Sequence, residues 1–361
     1  MTYQSPVKKS LQGEELADKR VLKPNNMINQ ESILASNLIS APTNPIYKKS
    51  IDNSSSSKRR LSDVFSPPEK RVPQTENIQE SKTLKTHPNI KSFACRSLAG
   101  SMDGIIAKTN QDGYIAIPSF GGKNDQHFFA VIDGHGNYGE EVTHYIKTKL
   151  PYYLEDAFKE KNISGNLVKD EIMQAFASVF KRINTELYAG DIDVSLSGCT
   201  INCVFLTKDK LYCINVGDSR SIITIHKNYE WFVMPLSEDH KPELPREKSR
   251  IEKTGGRVAC MEDNHGQPVG PLRVWLRDSM IPGLAMSRSI GDQIGKDAGV
   301  ISDPDISCID LTKEHKFIVL ATDGVWEFIT NEDVRFFINK RLYDGLNLTL
   351  GRKMLKRQLI S

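Results

Sequence analysis

Hydrophobic residues recur along this chain with two different periods. Residues 126–132 (QHFFAVI) are apolar at almost every position, which predicts a strand buried on both faces. Residues 138–150 read as a helix, stopped by Pro151. From 167 to 188, Ile172, Met173, Phe176, Val179, Phe180, Ile183 and Leu187 fall at helical spacing, and Gly190 closes the segment. Strand patterns follow at 200–206, 211–216 and 221–225. A polar helix is predicted over 243–254, ended by Gly255-Gly256, and another buried strand over 316–321. Residues 330–338 begin a helix capped by Thr330 or Asn331, with Glu332 and Asp333 favouring its positive end. Strands and helices come in blocks, which predicts an α+β fold and not βαβ winding. No internal repeat is present.

Composition adds a boundary. Residues 1–92 are rich in Ser, Lys, Asn and Pro and poor in aromatics, and every tryptophan lies later. Such a segment buries too little apolar surface to offset its ordering entropy, so a disordered tail is expected there and a globular domain over 93–361. The tail carries KRRLS at 58–62 and FSPP at 65–68. These read as a basophilic kinase site at Ser62, a proline-directed site at Ser66 or a nuclear import signal, or as a merely solvated basic stretch.

The formal charge of +3 is near balance and argues against a nucleic-acid partner. No apolar run is long enough for a transmembrane helix, so no membrane partner is expected. The polar start shows no signal peptide, and Thr2 excludes myristoylation. Cys95, Cys199, Cys203, Cys213, Cys260 and Cys308 are scattered without a C-x-x-C pair. They read as reduced thiols of a cytosolic or nuclear protein.

The chemistry gathers at strand ends. Apolar runs lead straight into Asp133-Gly134, Gly217-Asp218 and Asp323-Gly324, and Asp112 precedes a further strand-like run at 114–117. One Asp-Gly alone would be a turn. Repetition at the ends of buried strands suggests carboxylates gathered on one rim, where they repel one another. A hard divalent cation relieves that repulsion, and oxygen ligands select Mg²⁺ or Mn²⁺. Two such ions can share a water, acidify it and aim it at phosphorus. His135, two residues from Asp133, is placed to protonate a leaving alkoxide, although a lone histidine is more often structural.

These residues, in this order, resemble the metal-dependent protein phosphatases of the type 2C (PPM) family. The likeness rests on 129–136 (FAVIDGHG), 197–200 (SGCT), 215–220 (NVGDSR), 237–242 (SEDHKP), 283–292 (GLAMSRSIGD) and 321–326 (ATDGVW). It implies a four-layer α-β-β-α sandwich of two antiparallel sheets flanked by helices, and hydrolysis of phosphoserine and phosphothreonine in a phosphoprotein substrate. It also implies a dinuclear Mg²⁺ or Mn²⁺ centre. On this resemblance Asp133 bridges both ions, the Gly134 carbonyl binds one, and Asp323 binds the second, which Asp112 contacts through water. Asp218 with Asp323 would hold a weak third ion, and His135 would be the general acid.

The sequence departs from the family in several places. Gln111 replaces an acid, and Glu327 follows Trp326 where the family often has Asp. Ala107 falls where an arginine often grips phosphate. Lys108, the nearest cation, is the candidate phosphate ligand, against the plainer reading of a solvated strand-edge lysine. The family's late Asp-Asp or Asp-Asn strand has no counterpart, and Asp344 does not replace it, so the sandwich is expected to lack its last strands. That leaves a second function open, a weak or inactive relative acting as a binding module. Substrate identity and oligomeric state have no signal in the sequence.

Overall fold

The computed structural model describes residues 79–83, 90–102, 106–161 and 168–343. The chain divides into Met1–Arg71 and Val72–Ser361, and every described residue lies in the second unit. Ser62, Ser66 and Asp344 lie outside the described residues. Within the segment expected to be a tail, Gln79–Thr83 pairs antiparallel with Ser92–Cys95.

The larger sheet runs in the order Asp305–Asp310, Lys210–Val216, Gly198–Leu206, His127–His135, Gly113–Ile117, with Ile290–Gly291 also pairing to Gly198–Leu206. A second sheet has Arg220–Lys227 between Glu230–Pro235 and His315–Ala321. Every strand pair in both is antiparallel. A smaller sheet of Arg257–Glu262, Pro268–Trp275 and Pro282–Leu284 was not foreseen in the sequence. Its Pro268–Trp275 strand is half exposed and has no regular alternation.

Side-chain parity assigns the layers. Phe128, Ala130 and Ile132 share one apolar cluster with Cys199, Ile201, Cys203, Phe205, Tyr212, Ile214 and Val216. The helices Gly139–Glu160 and Lys169–Ala189 supply the rest of that cluster, from Val142 to Phe158 and from Ile172 to Leu187. The opposite parity, Phe129, Val204, Leu206, Leu211 and Cys213, meets Ile223, Ile318 and Leu320 of the second sheet. The outer face of that sheet, Ile222, Val233, Val319 and Ala321, packs Trp326 of the helix Asp323–Trp326 and Val334 of the helix Asn331–Tyr343. Helices, sheet, sheet and helices therefore stack in the α-β-β-α order expected from the resemblance.

Pro151 does not end its helix, which runs through it from Gly139 to Glu160. An interior proline removes one backbone hydrogen bond and costs about 3 kcal/mol. Leu150, Tyr153, Leu154 and Phe158 are all buried on the same core. At about 1.5–3 kcal/mol for each large apolar side chain, that burial outweighs the proline.

Among the described residues no helix is long and apolar enough to cross a membrane.

Candidate active site

Parity also places the first acid. Asp133 lies opposite Thr200 and has the parity of Phe129, so it faces between the sheets at one rim. On the same face toward that rim the apolar filling gives way to Asn202, Asn215 and Ser237, which hydrogen-bond one another through the Asn202 amide at 3.0 and 3.1 Å.

Gly134 is required by close approach. A Cβ there would fall 2.5 Å from Gly139 O and 2.7 Å from Gln111 O. That tight contact brings the Gln111-Asp112 turn against the end of the strand. Thr143 Oγ1 donates to Gln111 O at 2.8 Å, and the Gln111 amide donates to Gly136 O at 2.7 Å. Thr322 Oγ1 donates to Asp112 Oδ2 at 3.0 Å, tying the end of His315–Ala321 to the same place. Asp323 follows directly.

Asp112 and Asp133 lie within hydrogen-bond reach of one another, and so do Asp133 and Asp323. Burial, followed by the charges of Asp112, Asp323 and Asp218, pushes the Asp133 carboxyl up to about 9. Burial also raises Asp112 and Asp218, in the latter case against the opposing pull of Lys241.

Asp218 is held by a turn built around Gly217, whose φ of 104° favours glycine. The Gly217 N–H donates to His240 Nδ1, and the His240 N–H to Gly217 O, both at 3.0 Å. Asp218 is 2% exposed, its Oδ2 is ion-paired with Lys241 Nζ, and its Oδ1 has no partner.

His135 Nε2 lies 2.8 Å from Asp292 Oδ2. Asp292 is fully buried and sits in the left-handed region at φ 48°, a strained backbone for a non-glycine residue. Its N–H donates to Ser197 O at 2.9 Å. Burial pulls the imidazole down, but the charge and hydrogen bond of Asp292 leave it raised overall. Lys108 differs from these groups: its side chain is exposed, and its backbone N–H donates to Gly100 O at 2.8 Å.

Asp112, Asp133, Asp218, Asp323 and His135 are thus brought to one rim, with the Gly134 backbone among them. Asp292 and Lys241 were missed in the sequence reading. Both stand inside blocks that carried the resemblance, but no strand ending marked either one.

All the donors are oxygens, their charges repel, and a buried Asp218 oxygen lacks a partner, which together suit a hard divalent cation. Among the described residues no three His, Cys, Asp or Glu side chains already close into a cage. Lys241 is instead paired with Asp218, and Thr322 donates to Asp112.

A helix-flanked sandwich of two antiparallel sheets, with acids gathered at one rim, defines the class of protein. The chain belongs to the protein phosphatase 2C family, whose model matches residues 99–356. It is 32% identical over 241 residues to "Probable protein phosphatase 2C 35" of Arabidopsis thaliana, covering 63% of this chain and 67% of that one. It is 34% identical over 227 residues to "Probable protein phosphatase 2C 64" of Oryza sativa subsp. japonica, covering 62% and 52%. The match thus spans from about half to two thirds of these relatives' length. The fold is similar to that of the serine-threonine phosphatase 2C from Toxoplasma gondii, with a TM-score of 0.60, 22% identity, and 70% of this chain and 83% of that one covered.

Proposed function

We propose that this chain hydrolyses phosphoserine and phosphothreonine in proteins, with Mg²⁺ or Mn²⁺ held by Asp133, the Gly134 carbonyl, Asp112 and Asp323. The observation that carries the reading is the meeting of these acids on one rim, where burial first and then the neighbouring carboxylates push Asp133 to about 9. Bound divalent ions would neutralise that crowd and supply an acidified water as nucleophile.

The chain's own groups do the rest. His135 gives its proton to the leaving serine or threonine oxygen. Asp292 holds the ring and stabilises its charged form until then. Lys108 offers a solvent-facing positive charge to the phosphate.

The test is phosphate release from a phosphothreonine peptide with Mn²⁺, with EDTA, and in Asp133→Ala. Release that needs Mn²⁺ and disappears in the variant is expected. Turnover that survives EDTA would overturn the reading. Partner binding without turnover would favour a binding module.

A further inference from the structure

Lys241 is the cation already seated among the acids. Its backbone is tied to the Asp218 turn, since the neighbouring His240 exchanges two hydrogen bonds with Gly217. Its ammonium pairs with Asp218 Oδ2 and also feels Asp239 and Asp323. The two partners are buried very differently: the Asp218 side chain is 2% exposed, that of Lys241 31%. Asp218 is therefore enclosed, whereas the lysine side chain is partly open to solvent.

It lines a cleft of about 320 Å³ together with Glu238, Asp239 and Glu243. The other cation on its wall, Arg220, is committed. It forks onto Asp239 at 2.8 and 2.6 Å and donates to Asn331 at 3.0 Å. Asp239 is taken by Arg220 and Glu238 by Arg246 at 2.9 Å, so Lys241 has one acidic seat inside, on Asp218, and the exposed Glu243 on the cleft wall outside.

We infer that Lys241 is a built-in cation that fills the Asp218 corner of the carboxylate cluster and sets how many divalent ions the cluster takes. Two ions bind with Lys241 in place. A third reaches Asp218 only when the ammonium leaves for the cleft. This rests on the reading above, that the cluster holds divalent ions. An ammonium and a divalent ion cannot share one carboxylate corner without strong repulsion. Removing the lysine charge should tighten the extra site roughly tenfold or more.

The experiment is Mn²⁺ titration of the full chain, with bound ions counted by calorimetry and by the electron-spin signal of free Mn²⁺. Wild type, Lys241→Met, Lys241→Arg and the double variant Lys241→Met/Asp218→Asn are compared. Wild type should bind two ions well and a third only at much higher Mn²⁺. Lys241→Met should gain the third at roughly tenfold lower Mn²⁺ or better, Lys241→Arg should behave as wild type, and the double variant should lose the gain. Equal stoichiometry and affinity in wild type and Lys241→Met would overturn the inference while leaving the two-ion reading intact. No Mn²⁺ binding in any of them would overturn both.

A measurement on wild type alone covers the case of a variant that misfolds. Amine-directed labelling of Lys241, read by mass spectrometry, should rise severalfold as the third ion is filled. Labelling that does not change with Mn²⁺ would overturn the inference.

Discussion

Glu247 offers the sharpest test of how the fold holds the site. It lies in the first turn of the helix Pro245–Thr254 and is completely buried. Arg288 Nη2 donates to Glu247 Oε1 at 2.7 Å, while Arg250 Nη1 and Ser287 Oγ donate to Oε2 at 2.7 and 2.6 Å. Arg288 also reaches Asp305 Oδ1 at 2.7 Å, so one hub anchors the segment that leads to Asp292. Burial alone would raise the Glu247 carboxyl, but the bonds from Arg288, Ser287 and Arg250 prevail and bring it to about 2. A fall from 4.5 to about 2, at about 1.4 kcal/mol per pH unit, is worth about 3 kcal/mol.

The native carboxylate releases its proton more readily than the unfolded one, so the unfolded state binds more protons between these values. The stabilisation is complete above pH 4.5 and lost as pH falls toward 2. Glu247→Gln keeps the shape but leaves the buried Arg288 short of its counter-charge, at a cost of about 3–5 kcal/mol. Urea denaturation at pH 7 should show that loss, and a thermal midpoint lower by about 10 °C for a domain of this size. At pH 3 the difference between variant and wild type should shrink by about 2 kcal/mol. A pH 7 loss below about 1 kcal/mol, or one that is the same at both pH values, would refute this account of the hub.

Other outcomes follow from the same structure. Asp292→Asn should slow release from a phosphothreonine peptide by about 10- to 100-fold and spare p-nitrophenyl phosphate, whose leaving group needs no proton; equal losses on both substrates would remove Asp292 from proton transfer. Lys108→Ala should raise KM for the peptide severalfold at constant kcat, with Lys108→Arg restoring it, and an unchanged KM would end its assignment to phosphate. Phe205→Ala should cost about 3–5 kcal/mol in urea denaturation, because its ring packs within 6.2 Å of Phe120, Phe158, Phe176 and Tyr212 at the centre of the helix-facing core. A loss under 1 kcal/mol, taken as about a third of that range, would mean that the cluster relaxes around the gap.

The sequence revealed what is periodic and local. The helix at 167–188 carried its spacing openly, and the structure forms it over Lys169–Ala189. The Asp-Gly endings pointed to Asp133 and Asp323, which do meet. Pro151 misled because a local breaker was set against burial contributed by the other side of the core. Asp292 escaped notice because its position depends on a two-residue strand, Ile290–Gly291, pairing with Cys199 and Gly198 far away in the chain. Lys241 escaped for a similar reason: nothing within its own segment says that Asp218 lies beside it.

Parity explains why the rim forms at all. Strand 126–132 looked buried on both faces, so the sequence did not show which way Asp133 would turn. In the structure Phe128, Ala130 and Ile132 point to the helices, and Phe129 points to the second sheet. Asp133 must then share the inter-sheet side with Phe129, as must Asn202 and Asn215 on strands whose Cys203 and Ile214 face the helices. The alternation that fills one end of the sandwich with apolar side chains leaves acids and amides at the other. A one-residue slip of His127–His135 would turn Asp133 into the helix-facing core and break both at once. Core and site therefore depend on a single register. Variants that destabilise the aromatic cluster without unfolding the chain should loosen the carboxylate rim as well.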